Sequence, residues 1–368
     1  MKDVDVVVVG AGVVGLAVAA AWARVGHSVV VLESRSGPAQ GVTSRSSEVV
    51  HAGLYYPEGT LKARFCVEGR ERLYLYCESR RVDFRKTGKW IVATSEDEIG
   101  KLEQILSQGH ANGVSELYAL DSDQVKKSEP HVQCRAALLS TETGIVDSHG
   151  FCLSLLAELE ALGGRLLAHH EVLGLERVKD GWRVEARCQG EDHSVSCGIL
   201  INAAGLDADR VAALAGLSIE ASGYRLHPCK GDYFSLASSA PIELSRLVYP
   251  VPSGPGLGIH ATLDLTGAIR FGPDAEYVEE RNFEVSADKA AFFAEAVRRY
   301  LPGVRADWLL PAYSGIRPRL ARPGEAFRDF VVAEESATGL PGLINCVGIE
   351  SPGLTAALAI GEYTLSLI

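Results

Sequence analysis

The sequence predicts a mixed fold, α/β and α+β: a doubly wound nucleotide domain interleaved with a second domain built on an antiparallel sheet. Three observations predict it. A β-branched run, VDVVVVG at 4–10, is followed by an alanine-rich stretch and a second buried run, SVVVLE at 28–33. From 224 to 317 the texture changes to short alternating segments separated by Gly, Pro and Ser. The first texture then returns, as LINCVG at 343–348 followed by a glycine turn and SPGLTAALAIGEYTLSLI.

Each element follows from its pattern. VDVVVVG reads as a strand buried on both faces. VVGLAVAAAWARVG is helical, and Gly26 suits its end. With SVVVLE it makes a βαβ unit, hence parallel strands and a right-handed crossover. Residues 60–81 read as a helix, TGKWIVAT at 87–94 as a strand, and 96–112 as an amphipathic helix. The stretch 116–147 is weaker, with AALLS and TGIVD as its apolar runs. The helix of 148–164 follows, then the strand-like RLLAHHEVLGLERV, GWRVEARC and SVSCGILINAAG, then the helical DADRVAALAGL. KGDYFSLA, RLVYPVP, GLGIHATLD and AIRFGP alternate with turn residues, as antiparallel strands do, and a helix near 287–300 interrupts them. The expected division places 1–82, 148–222 and 318–368 in the nucleotide domain. It leaves 83–147 and 223–317 to a substrate domain.

Composition narrows the function. Of 368 residues, 47% are hydrophobic and 23% charged, ordinary for a packed protein. The net charge of −11 opposes a phosphate backbone, so a nucleic-acid partner is not expected. Eight scattered cysteines form no CxxC, which points to reduced thiols and no metal site. The apolar amino terminus is broken by Gly10, Gly12 and Gly15 and lacks a basic flank, so a leader or an anchor is not expected there. A cytoplasmic location is expected, with membrane contact at most peripheral, on the inner face.

Gly10-Ala11-Gly12-Val13-Val14-Gly15 fits G-x-G-x-x-G between strand and helix, and Glu33 ends the next strand. That is the Rossmann-like dinucleotide signature. Gly12 lacks the Cβ that would block a pyrophosphate, and Gly15 lets helix and strand pack closely. The helix N-terminus offers free N–H groups and the positive dipole end. Glu33 suits ribose hydroxyls. The motif does not distinguish NAD from FAD.

Four further stretches bear on that choice: SRSSEVVHAGLYYP at 44–57, KGDYF, GIRPRL at 315–320 and GIESPGLTAALAIGE at 348–362. With the glycine turn they resemble the D-amino-acid-oxidase-like superfamily of FAD-dependent oxidoreductases, over essentially the whole length and in the same order. Within it the chain looks most like L-2-hydroxyglutarate dehydrogenases and oxidases. The resemblance implies a Rossmann-like FAD-binding domain interleaved with an antiparallel-sheet substrate domain. It implies that Glu33 and Ser34 hold adenosine ribose, and that Ser44, Arg45, Ser46 and Ser47 lie along pyrophosphate and flavin. By the same resemblance Val172 is expected to meet adenine, and Ala203, Ala204 and Gly205 to pass near the pyrophosphate. Gly348, Ile349, Ser351, Pro352, Gly353, Leu354 and Thr355 are expected to wrap the pyrimidine end of the flavin. Arg317 is expected to bind a substrate carboxylate; its plainer reading is a surface or ion-paired arginine, because Arg319 and Arg322 are close by.

Oxidation of a 2-hydroxy acid by a flavin needs geometry and one base, with histidine the natural choice. His260, in a putative substrate strand, is a candidate base or a hydrogen-bonded structural residue. His227 precedes a proline and suits a loop. Lys230 and Tyr249 are further site candidates, and Lys230 could equally be a solvated lysine at a strand edge. His51 is expected to face the flavin, covalently bound or packed beside it, with Tyr55 and Tyr56 adding ring contacts. Relatives with H-A-A-G attach the flavin there, and His51-Ala52-Gly53 departs from that pattern. His169 and His170 read as strand neighbours pointing to opposite faces.

The resulting expectation is FAD-dependent oxidation of a small 2-hydroxy acid, with L-2-hydroxyglutarate the best specific donor and oxygen or a quinone as acceptor. The alternatives are a glycine- or sarcosine-type amine oxidase, a glycerol-3-phosphate dehydrogenase, and a flavin-binding regulatory protein without turnover.

Overall fold

A computed structural model describes residues 2–252, 258–325 and 327–368. Its first sheet has a parallel core. Val4–Val9 lies between Val29–Leu32 on one side and the end of Glu191–Asn202 on the other. Arg165–Leu167 and Leu340–Val347 extend this core outward on its two sides. Glu171–Val178 and Gly181–Cys188 add an antiparallel meander, and Val331–Glu335 an antiparallel edge. Strand order therefore reverses at Val4–Val9, and the glycine turn leaves its carboxyl end, where open α/β sheets bind ligands.

The helix Val13–Arg24 is buried nearly all round because it is mostly alanine and valine. The helices Ser148–Ala161 and Gly353–Leu365 pack on it, and Leu61–Arg80 packs on the latter. These contacts are closer than ordinary side chains permit. A Cβ on Gly15 would sit 1.9 Å from the Gly10 carbonyl oxygen, and one on Gly361 would sit 2.7 Å from that of Ala17. One on Gly69 would lie 2.3 Å from the Thr355 carbonyl oxygen.

Among the described residues the second sheet has nine strands and a core of its own, with Phe234, Phe271, Phe293 and Tyr300 fully buried. It is not purely antiparallel, as the alternation suggested: Leu247–Pro250 runs parallel to Lys89–Ala93. The sequence also hides its longest strand, Leu309–Arg319, whose Pro311, Gly315 and Pro318 break the strand signature. The structure tolerates Pro311 beside a register shift opposite Tyr233 and Phe234. In the weak stretch, a strand Leu117–Asp121 and a helix Ser122–Ser128 with an Asp121 capping box also went unseen. His227 opens the strand His227–Leu236 instead of a loop, while His169 and His170 sit in a turn instead of on a strand. The segment GLGIHATLD begins outside the described residues and becomes the strand His260–Leu263.

Gly69→Ala tests the close packing. Helix propensity alone would stabilise it by about 1 kcal/mol. The new methyl meets backbone instead of a movable side chain, an overpacking cost of about 1–3 kcal/mol. Net destabilisation by about 1–2 kcal/mol is expected, read as a lower urea midpoint with an unchanged slope.

Candidate active site

One cavity of about 960 Å³ runs from the glycine turn to the second sheet. At its first end, Gly12 caps the helix Val13–Arg24 without a side-chain hydrogen bond. A Cβ there would meet only Thr43 Oγ1, at 3.3 Å, so the space above Gly12 belongs to the cavity and not to packed protein. The Glu33 carboxylate accepts from the Ala11 amide at 2.8 Å and the Arg35 amide at 2.9 Å, which ties the second strand to the turn. Glu33, Ser34, His170 and Val172 line this end.

The segment from Thr43 to Tyr56 forms the middle wall. Thr43–Arg45 is a single 3-10 turn. It buries Thr43, whose Oγ1 accepts the Val13 amide at 3.1 Å, and leaves Ser44 exposed, donating to the Gly41 carbonyl. Ser44 is therefore not among the lining residues and Thr43 is, a one-residue offset that no spacing in the sequence reveals. The Arg45 guanidinium lines the cavity, held by the Ser314 carbonyl at 3.1 Å and 4.1 Å from the Phe283 ring centroid. Beyond it, backbone carbonyls are gripped from behind: His51 by Cys66, Ala52 by Arg70, and both Gly53 and Tyr56 by Asn112. The His51 amide donates to Thr355 Oγ1 at 3.0 Å, and its Nε2 lies 3.2 Å from Ser351 Oγ. Burial, with the Lys89 ammonium as second cause, pulls the His51 imidazole down to about 3.

The second sheet closes the far end. The Tyr249 and His260 rings stack with centroids 3.5 Å apart and planes 9° apart. Across from them the strand Leu309–Arg319 presents Arg317, paired in register with Cys229. One guanidinium nitrogen of Arg317 contacts Cys229 Sγ and the Asp274 carbonyl, both at 3.3 Å. Its Nε is buried with no hydrogen-bond partner among the described residues. A buried unpaired N–H is costly, so this guanidinium has donor capacity for a ligand.

The cavity thus collects Gly10, Gly12, Val13, Val14, Glu33, Ser34, Arg45, Ser46, Ser47, His51, Val172, Ala203, Ala204 and Gly205. From the second sheet and the carboxy-terminal turn it collects Tyr249, His260, Arg317, Ile349, Ser351, Pro352, Gly353 and Leu354. It does not collect Gly15, Gly348 or Thr355, which act by packing and by the bond to His51. Lys230 is also absent, and it is neither solvated nor at a strand edge. Its strand is paired on both sides, and its buried ammonium is held 3.3 Å from Asp232 and by the Glu284 carbonyl. Lys289, which does line the cavity, is bound by Asp232, Asp274 and Glu276 at 2.6, 2.9 and 3.1 Å. Burial lowers its basicity, but these carboxylates outweigh that and leave it raised. Sequence reasoning missed Thr43, Tyr233, Lys289 and the buried Lys89.

These residues suit FAD. The elongated cavity lies near the top of the usual range of about 300–1,000 Å³. A glycine opens the helix N-terminus to it, and a carboxylate closes one end. Among the described residues no cluster could hold a metal, and no helix is long and apolar enough to cross a membrane.

Comparison with known proteins agrees. The family model of FAD-dependent oxidoreductases called DAO matches residues 5–367. Mitochondrial L-2-hydroxyglutarate dehydrogenase of Arabidopsis thaliana is 39% identical, covering 98% of this chain and 83% of its own. The Escherichia coli K12 L-2-hydroxyglutarate dehydrogenase is 28% identical over 99% of this chain and 93% of its own. Among solved structures, an FAD-bound L-α-glycerophosphate oxidase from Mycoplasma pneumoniae superposes with TM-score 0.88 at 24% identity, covering 100% of this chain and 95% of its own. Glycine oxidase from Geobacillus kaustophilus gives 0.83 at 19% identity, with coverages of 100% and 95%. These two likenesses carry the fold.

The depressed His51 gives a test by pH. Below its ordinary value near 6.5 the unfolded chain takes a proton that the folded chain refuses until about 3. Stability contributed by His51 therefore falls as pH drops through that window. His51→Gln should gain on the wild type between pH 7 and pH 4.5 by more than about 1 kcal/mol in urea unfolding. Parallel stability curves would place the imidazole in water.

Proposed function

Since the chain belongs to the DAO family of FAD-dependent oxidoreductases, we propose that it oxidises the α-carbon of a small 2-hydroxy acid, L-2-hydroxyglutarate being the best donor. The observation that carries this reading is the convergence of Arg317, with its unspent buried Nε, and the Tyr249–His260 stack on one cavity continuous with the glycine turn. The names of the relatives support the donor.

The division of labour follows from the side chains. Glu33 and Ser34 hold the ribose, and the Gly12 turn holds the pyrophosphate. His51, Ser351 and the Gly353 helix start hold the flavin, and segments 1–82, 148–222 and 318–368 act as the cofactor domain. When bound, FAD would supply the two-electron acceptor for the donor's α-hydrogen. Segments 83–147 and 223–317 form the substrate domain, joined at Arg317. The Arg317 guanidinium grips the donor carboxylate and fixes the α-carbon. His260 takes the hydroxyl proton, and stacking on Tyr249 fixes the plane of its ring. The donor thus loses one hydride and one proton and leaves as the 2-oxo acid.

Anaerobic bleaching of the flavin tests the donor. L-2-Hydroxyglutarate should bleach it, while glycine, sarcosine, amino acids and glycerol 3-phosphate should not. Reduction by one of those instead would replace the reading, and bound FAD that none of them reduces would point to a protein without turnover. Arg317→Ala should lower kcat/KM for the carboxylate donor about 100-fold or more while FAD affinity holds. Equal loss of both would make Arg317 structural. Because Nε2 of His51 is engaged by Ser351, we expect the flavin to be non-covalent and acid precipitation to leave the yellow colour in solution.

A further inference from the structure

Lys89 begins the strand Lys89–Ala93 and is only 1% exposed. Its ammonium lies 4.8 Å from the centroid of the Tyr55 ring and 4.6 Å from that of Tyr249. Among the described residues no carboxylate is within ion-pair reach of it. A cation is rarely buried without a counterion, and two aromatic faces compensate only part of its lost hydration. The residue does not itself line the cavity, but Tyr249 and His51 do, and Tyr249 carries the stacked His260. Lys89 therefore sits buried one layer behind the chamber wall, beside His51 and Tyr249, with the strand of Tyr249 between it and that of His260.

We infer that Lys89 is a positioning residue of the chamber: acting through Tyr249 and His51, its ammonium supplies a buried positive charge that draws and orients an anionic donor. The inference rests on the 2-hydroxy-acid reading only in the choice of anion. An unpaired buried cation is completed by the charge of the ligand, whereas a paired one would be indifferent to it. Every other cationic side chain in or next to the wall described above is already bound by carboxylates or carbonyls, apart from the Nε of Arg317.

The charge is also switchable. Burial lowers the Lys89 amine to about 7, opposed weakly by Cys66. The groups facing it are His51 and Tyr55 from the segment 44–57, Cys66 from the helix Leu61–Arg80, and Tyr249 from the neighbouring strand Leu247–Pro250; Arg70, farther along that helix, is paired with Glu142 at 2.7 Å. Burial pushes the Cys66 thiol up to about 12, raises both phenols, and holds His51 neutral above about 3. Between pH 6 and 9, Lys89 is thus the member of this group that changes charge. Ammonium at the low end favours the anion, and neutral amine at the high end does not.

The test uses FAD-loaded protein and titrates 2-oxoglutarate, pyruvate and sulfate against the flavin absorption band at pH 6 and pH 9. Wild type should bind its preferred anion about 10-fold more weakly at pH 9. Lys89→Met should bind weakly at both, with the pH dependence gone, and should unfold no more easily, because a costly buried charge is removed. Lys89→Arg, charged throughout, should restore binding and hold it flat. Retention of wild-type affinity and pH dependence in Lys89→Met overturns the proposal. If pyruvate or sulfate binds and 2-oxoglutarate does not, the donor reading fails while Lys89 is judged on the anion that binds. If no anion binds wild type, both fall.

Discussion

Close approach at three glycines is the constraint on which the site depends. Gly15 lets the first helix start against the glycine turn, Gly361 lets the carboxy-terminal helix lie against Ala17, and Gly69 lets Leu61–Arg80 reach Thr355. Only with all three in place does the turn GIESPGLT sit beside the segment that begins at Thr43. The bonds that result, His51 amide to Thr355 Oγ1 and His51 ring to Ser351, join residues about 300 positions apart in the chain. Larger residues would separate the helices, and the wall between cofactor and substrate space would open.

Charge is distributed along the cavity with the same economy. Lys289 and Lys230 are tied to carboxylates in the second sheet, Arg45 to a carbonyl and a ring. What remains for a ligand is narrow: the Nε of Arg317 in the wall and the ammonium of Lys89 behind it. Two positive groups with unmet demand, around a stacked histidine and tyrosine, favour a small anion over a neutral or cationic donor. The net charge of −11 outside does not oppose this, because burial isolates the chamber from the screened surface field.

Much of this was legible in the chain. The glycine turn, Glu33 and the two textures predicted the nucleotide sheet and a second sheet, because strand and helix periods there are strong and local. That Arg317 and the GIESPGLT turn reach the cavity was legible through resemblance more than through spacing, and that His260 does through its place in an expected strand. What escaped depends on tertiary geometry. Whether Thr43 or Ser44 faces inward is decided by one 3-10 turn. The strand Leu309–Arg319 is masked by two prolines that a register shift and an end position accommodate. Lys89, in a stretch reading GKWIVA, carries the signature of an ordinary strand start, and only burial between Tyr55 and Tyr249 sets it apart.

The central claim is that a 2-hydroxy acid gives up its α-hydrogen in this chamber. Anaerobic mixing of the FAD-loaded protein with L-2-hydroxyglutarate, protonated or deuterated at the α-carbon, addresses it directly through the decay of flavin absorbance. Decay slowed by α-deuterium, and by no deuterium elsewhere in the donor, is the result predicted. No decay, or decay indifferent to α-deuterium at every donor concentration, would contradict it.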